Sequence, residues 1–224
     1  MEGMPRDVDL NLESDINQFE HDTNGEDALQ IILRGHLYIE REITALLKFR
    51  LEEEDHEEIF TSRFLFYSKL NWAVALGLIK RENKLAYKNL NDIRNSYAHE
   101  LGFQLDDKRV NDVVSAMSRG MREEYKKKLR EYPEKNAVIK VKLAISVLWH
   151  DLKKIVHGYE EEKRKEFLLD ELKIVNQLID ELEEEVKNRT VDTSSPEWKE
   201  RKSLLREKLD EITVGLSKRF VPYG

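Results

Sequence analysis

The ten residues Leu90-Asn91-Asp92-Ile93-Arg94-Asn95-Ser96-Tyr97-Ala98-His99 set an arginine, an amide and an imidazole on the polar side of an apolar helical stripe. At about 100° per residue, Asn95 and His99 fall one turn apart on nearly the same face, whereas Arg94 and His99 are separated by about 140°. Arg94 must therefore reach around the helix or meet a His99 from another chain. These residue types suit phosphodiester cleavage. An imidazole titrates near neutrality and moves a proton to or from a hydroxyl, and a guanidinium holds a phosphoryl oxygen in two hydrogen bonds. Such a reaction requires no metal and no other cofactor. The plainer structural roles are an ion pair of Arg94 with Asp92, Glu100 or a carboxylate on a neighbouring helix, a packed helix end for His99, and a surface amide for Asn95. Tyr97 is expected in the core.

Other polar residues offer less. His36 and Glu40 stand at i and i+4 on a helix, a spacing that binds a metal when a third ligand is near. As a lone pair they are read as a structural hydrogen bond, or as support for the cleft together with Arg34, and no metal site is expected. His150 and His157, two turns apart, read as ordinary helix surface. Lys126, Lys127, Lys128 and Arg130, preceded by Arg119 and Arg122, form a basic stretch able to guide RNA toward the cleft. Glu123, Glu124 and Glu131 are interleaved with them, which is also the pattern of a solvated face. The sequence has no glycine-rich phosphate loop, nucleophile elbow, zinc-finger pattern or dinucleotide fingerprint.

Helices must carry these groups. Nine Gly and four Pro in 224 residues, with abundant Leu, Glu and Lys and apolar spacings of three and four almost throughout, predict an all-α fold. Thirty-eight Lys+Arg against 45 Asp+Glu leave a net charge of −7, which argues against a protein that coats nucleic acid nonspecifically. The apolar run from Trp72 to Ile79 falls far short of the roughly 20 residues of a membrane span. With no cysteine, and an acidic amino terminus unlike a secretory signal, a cytoplasmic protein is expected.

Periodicity places helices at about 27–51, 58–79, 84–100, 107–131 and 134–158. The second, apolar almost all round at Phe64, Leu65, Leu76 and Ile79, is expected at the centre. Gly102 ends the third. Together they predict a helical bundle over 26–160, preceded by an acidic segment, 1–25, expected to stay loose or dock late. Over 161–224 the spacing becomes a heptad seam, Leu168, Leu172, Val175, Ile179, Leu182 and Val186, answered by Leu205, Leu209, Ile212 and Leu216. Ser194 and Glu197 around Pro196 suggest a capping box between the two runs. This tail is expected to be a coiled-coil-like helical hairpin, paired within the chain or supporting a dimer or partner.

Arg94-Asn95 and His99, with four residues between arginine and histidine, resemble the signature of the HEPN superfamily: an arginine followed by a polar residue and, a few positions on, a histidine. Upstream, Arg34-Gly35-His36-Leu37-Tyr38-Ile39-Glu40, Phe66-Tyr67-Ser68-Lys69-Leu70 and Ala73-Val74-Ala75-Leu76-Gly77-Leu78-Ile79 look like the branch that contains mannitol operon repressor proteins. The resemblance covers roughly residues 26–130. It implies a compact helical bundle that forms a homodimer, its two motif helices facing each other across one composite cleft. Many relatives are metal-independent endoribonucleases that act as toxins or in phage defence. Carried over, Arg94 binds or polarises the scissile phosphate, His99 transfers the proton, and Asn95 orients His99 or the phosphate. The ribose 2′-OH then attacks the adjacent phosphate, leaving a 2′,3′-cyclic phosphate and a 5′-hydroxyl, and DNA is spared. A toxin implies an antitoxin or other regulatory protein partner. The same branch is associated with regulation through protein partners, so the resemblance equally allows a non-catalytic regulator or scaffold.

Overall fold

The structure, a computed structural model, describes residues 8–25, 27–51, 60, 65–188 and 192–217. Its described elements are helices, with no strand among the described residues: α1 (Val8–Asp22), α2 (Ala28–Lys48), α3 (Phe66–Ala75), a 3-10 turn (Arg81–Asn83), α4 (Lys84–His99), α5 (Asp107–Ser115), α6 (Arg119–Arg130), α7 (Ala137–Lys187) and α8 (Pro196–Ser217). Three of the helices begin where a side chain meets the first free amides. Asp27 accepts from Leu29 N at 3.0 Å to open α2, Asp106 from Arg109 N at 2.8 Å to open α5, and Asn136 from Ile139 N at 2.9 Å to open α7. The chain divides into two units, one spanning Arg6–Tyr159 and the other containing Glu160–Gly224.

The core of the first unit joins the apolar faces of α2, α4 and the first part of α7, with Ile32, Ile39, Leu46, Tyr87, Leu90, Leu148 and Trp149 closed to solvent. Gly35 permits this closeness. A Cβ at that position would collide with the buried, β-branched side chain of Ile145. Tyr87 donates from its hydroxyl to the Leu148 carbonyl at 3.2 Å, linking α4 to α7 inside the core.

The acidic amino-terminal segment does not stay loose, because residues 8–22 form α1. Its apolar residues are few but well placed: Leu12 is buried, and Phe19 stacks on Trp149 at 4.0 Å with ring planes 7° apart. Asp15 pairs with Lys153 of α7 and lies 3.8 Å from Arg41 of α2. The helix expected at 58–79 is α3, shorter and not central; Phe66, Leu70 and Ala73 face the core while Leu65, Tyr67, Trp72 and Leu76 are exposed. The earlier part of that expected helix lies outside the described residues.

The single helix expected over 107–131 is two, α5 and α6. At the break, Asn83 accepts from Ser118 N at 3.0 Å, and Arg122 donates to the carbonyls of Ser115 and Met117, so the junction's freed backbone groups find partners. In place of a break after residue 158, α7 runs unbroken over 51 residues to Lys187, its later part rich in Glu, Lys and Arg, all good helix formers.

In the second unit the later part of α7 pairs antiparallel with α8. Leu168, Val175 and Ile212 are buried together, flanked by Leu172, Ile179, Leu205, Leu209 and Leu216. Lys208 pairs with Glu171 at 3.4 Å and Arg201 with Glu185 at 3.4 Å along the rim. Val186, expected in the seam, is exposed. The cap of α8 is Ser195, whose Oγ accepts from Trp198 N at 3.2 Å; the Ser194 hydroxyl turns back to Asp192 instead.

Candidate functional site

Helix α4 buries Ala86, Tyr87, Leu90 and Ile93, and that stripe fixes which way its remaining residues point. Asn91, Asn95 and His99, spaced by four, run along one side of it. His99 is the last residue of the helix. Glu100 caps it through an N–H bond to the Ser96 carbonyl at 2.9 Å, and Gly102, at φ +77°, turns the chain away. His99 is exposed and, among the described residues, makes no side-chain hydrogen bond or ion pair. Arg94 and Asn95 are both half-buried, and Arg94 Nη1 donates to Asn95 Oδ1 at 3.2 Å. The alternative of an ion pair with Asp92 is not realised, because Lys88 holds that carboxylate at 2.6 Å.

On the neighbouring α2, His36 is buried against Phe66, ring centres 4.4 Å apart. Its Nε2 donates to Asn91 Oδ1 at 3.0 Å, and its Nδ1 lies 3.9 Å from Glu40 Oε2. Glu40 in turn accepts from Lys69 Nζ of α3 at 2.7 Å. Burial is the main force that pushes the His36 pKa below its ordinary value; Arg94 and Lys69 push the same way, while the Asn91 bond and Glu40 oppose them. A neutral imidazole therefore holds Asn91, one turn before Asn95.

Of the supporting residues expected from the sequence, His36 meets α4 directly, Glu40 stands behind His36 and pairs with Lys69 of α3, and Arg34 reaches neither. Arg34 Nη1 donates to the Asp22 carbonyl at 3.0 Å, closing the end of α1. The His36–Glu40 pair has gained a lysine in place of a third ligand, and no group of three metal-ligating side chains occurs among the described residues.

The basic stretch is dispersed. Arg122 binds the α5–α6 junction, Lys126 pairs with Glu123 at 3.1 Å, and Lys128 lines a cleft with Asn17, Glu20 and His21 of α1. Arg119, Lys127 and Arg130 are exposed. Three residues beside the motif escaped the sequence reading: Asn91, Lys69 and Arg109, whose Nη1 donates to Ser96 Oγ at 3.4 Å. Asn91 was legible as the residue one turn before Asn95. Lys69 and Arg109 arrive from other helices, which no local spacing reveals. His150 is also no ordinary surface residue: its Nδ1 donates to the Ser146 carbonyl at 2.7 Å and its ring packs edge-on against Phe19 and Trp149. His157 is buried as well.

No family model, curated protein or solved structure matches the chain. No helix among the described residues is long and apolar enough to cross a membrane.

Proposed function

We propose that the chain is a metal-independent endoribonuclease of the HEPN type, a toxin or phage-defence effector, in which Arg94, Asn95 and His99 line a cleft completed by a second copy. The last turn of α4 carries this reading: His99 open to solvent, Asn95 one turn behind it, and Arg94 bound only to Asn95 among the described residues. A purely structural trio would have Arg94 and His99 engaged by neighbouring helices.

In this reaction His99 of one copy accepts the proton of the ribose 2′-OH as the 2′ oxygen bonds to phosphorus. The bond from phosphorus to the 5′ oxygen breaks, and that oxygen takes a proton from an imidazolium. The products are a 2′,3′-cyclic phosphate and a 5′-hydroxyl. Arg94 stabilises charge gathering on the phosphoryl oxygens, and Asn95 orients the arginine it already holds. The neutral His36, through Asn91, fixes the rotation of the helix that presents them. A second copy completes the cleft, supplying a His99 opposite the Arg94 that lies about 140° away from it on its own helix. The exposed stripe of Leu65, Trp72 and Leu76, along α3 and its two capping positions, provides apolar surface for that second copy to cover. The work is cytoplasmic, and a regulatory protein holds it in check.

The test is cleavage of a mixed RNA pool in EDTA by wild type, His99→Ala and Arg94→Ala. Wild type is expected to leave cyclic-phosphate ends, and each variant to lose about 10²- to 10⁴-fold in rate while keeping its helicity and oligomeric state. The competing reading, a regulator that acts through protein partners, draws on the same exposed α3 residues. It stands if wild type leaves RNA intact or the variants cut equally well.

A further inference from the structure

The cleavage reading leaves unused the side of α4 that faces α5. Along the stripe that leads to His99, Leu85 and Asp92 are joined by Asn89, Arg109 and Asp112 of α5 step by three, and these side chains border an open groove of about 480 Å³ with the buried Ile93 at its base. This size falls within the ~300–1,000 Å³ of small-ligand sites, and Leu85, Ile93 and Ala116 form its apolar wall among five polar or charged side chains.

The polar groups are specific in what they leave free. Asn89 Nδ2 donates to the Asp112 carbonyl oxygen at 2.9 Å, which fixes the amide. The Asp92 carboxylate is occupied by Lys88, whereas that of Asp112 has no hydrogen bond or ion pair among the described residues. Arg109 is steadied by Ser96 and by the Phe103 ring, 4.8 Å from its guanidinium carbon, and keeps further N–H donors. An acceptor carboxylate and a donor guanidinium thus stand one turn apart before an apolar wall. The matching ligand is planar, with two adjacent N–H donors on one edge and two adjacent acceptors on another. Among RNA bases guanine fits, offering N1–H and N2–H₂ to Asp112 and O6 and N7 to Arg109. The unpaired carboxylate repels phosphate, so the groove suits a base rather than the backbone. Arg109 also ties the groove to Ser96, on the turn that bears Asn95. Asp92 precedes His99 by seven residues, about 10 Å of helix rise.

We propose that the groove between α4 and α5 is a guanine-selective subsite for a nucleotide flanking the scissile phosphate. The proposal rests on the reading of the chain as one that acts on RNA, and it adds the base preference. The full-length protein is titrated with GMP, AMP, CMP and UMP, with binding followed by calorimetry and by the amide signals of residues 85–92 and 109–116. GMP is expected to bind at least tenfold tighter than the other three, and about tenfold weaker in Asp112→Asn. Ser115→Trp, on the groove rim, is expected to abolish binding, with circular dichroism confirming that both variants fold. In the RNA pool, cuts by wild type cluster beside guanine and Asp112→Asn relaxes that preference. Equal binding of the four nucleotides, no binding at millimolar GMP, or GMP binding untouched by both substitutions overturns the proposal. Guanine-selective binding with RNA left intact overturns the nuclease reading and the groove's place beside a scissile phosphate, and keeps the groove as a guanine site. Cleavage that depends on His99, without base preference or GMP binding, overturns the subsite alone.

Discussion

Replacing Phe19 with alanine measures whether α1 belongs to the bundle. Phe19 is 1% exposed, stacked on Trp149 at 4.0 Å and edge-on to Tyr38 at 5.2 Å. A buried Phe→Ala change costs about 3–5 kcal/mol, and loss of the two aromatic pairs places this case near the middle of that range, about 4 kcal/mol. Domains of this size have about 5–15 kcal/mol in all, so the variant stays folded but loses much of its margin. With a urea m-value of about 2 kcal/mol per molar, the midpoint falls by about 2 M. Hydrogen exchange read by mass spectrometry supplies the second measurement: amides of residues 12–22 are protected in wild type and lose protection in the variant. A midpoint unchanged within about 0.3 M, with those amides already exchanging at unfolded-chain rates in wild type, refutes the reasoning. The acidic segment would then behave as its composition alone suggests.

Stability is expected to fall as pH drops below the ordinary histidine value of 6.5, because burial lowers the pKa of both His36 and His150. The unfolded chain binds those protons first, so their contribution is complete above 6.5 and declines below it, by at most about 1.4 kcal/mol per pH unit for each histidine. Urea midpoints at pH 7.5, 6.5 and 5.5 check this, and His36→Gln should flatten the decline; a decline equally steep in the variant excludes His36 as its source. At the hairpin, Ser195→Ala is expected to cost about 1 kcal/mol as the loss of the α8 cap, while Ser194→Ala stays within about 0.5 kcal/mol. Thermal unfolding distinguishes the two, and the reverse order would restore the cap to Ser194.

The legible part of this protein was local. The apolar stripe Ala86, Leu90, Ile93 and Tyr97 repeats the helical period, and α4 runs over Lys84–His99 where 84–100 was expected. The hairpin seam was legible for the same reason, since Leu168, Val175 and Ile212 meet as a heptad requires. Composition misled at α1, where averaging over an acidic segment hides two aptly placed apolar side chains. It misled at α3 in the other direction, since an all-round apolar pattern cannot tell a central helix from one with Trp72 and Leu76 left exposed. The α5–α6 break turns on Asn83, 35 residues away from Ser118 in the chain, and no window of local spacing includes it.

By itself the sequence determined that the chain is helical, that a heptad tail follows the bundle, and that Arg94, Asn95 and His99 share the end of one helix. These follow from periods of 3.6 and 3.5 residues and from hydrophobic burial, which act over a few turns. Tertiary structure alone decided the company those residues keep. It set His36 beside Asn91 across 55 positions and Lys69 against Glu40, turned Arg34 toward α1, engaged Arg122 in an internal junction, and brought Arg109 to Ser96. Such pairings depend on the close approach of whole helices, as Gly35 allows against Ile145, and on the demand that polar groups taken from water find partners wherever packing delivers them.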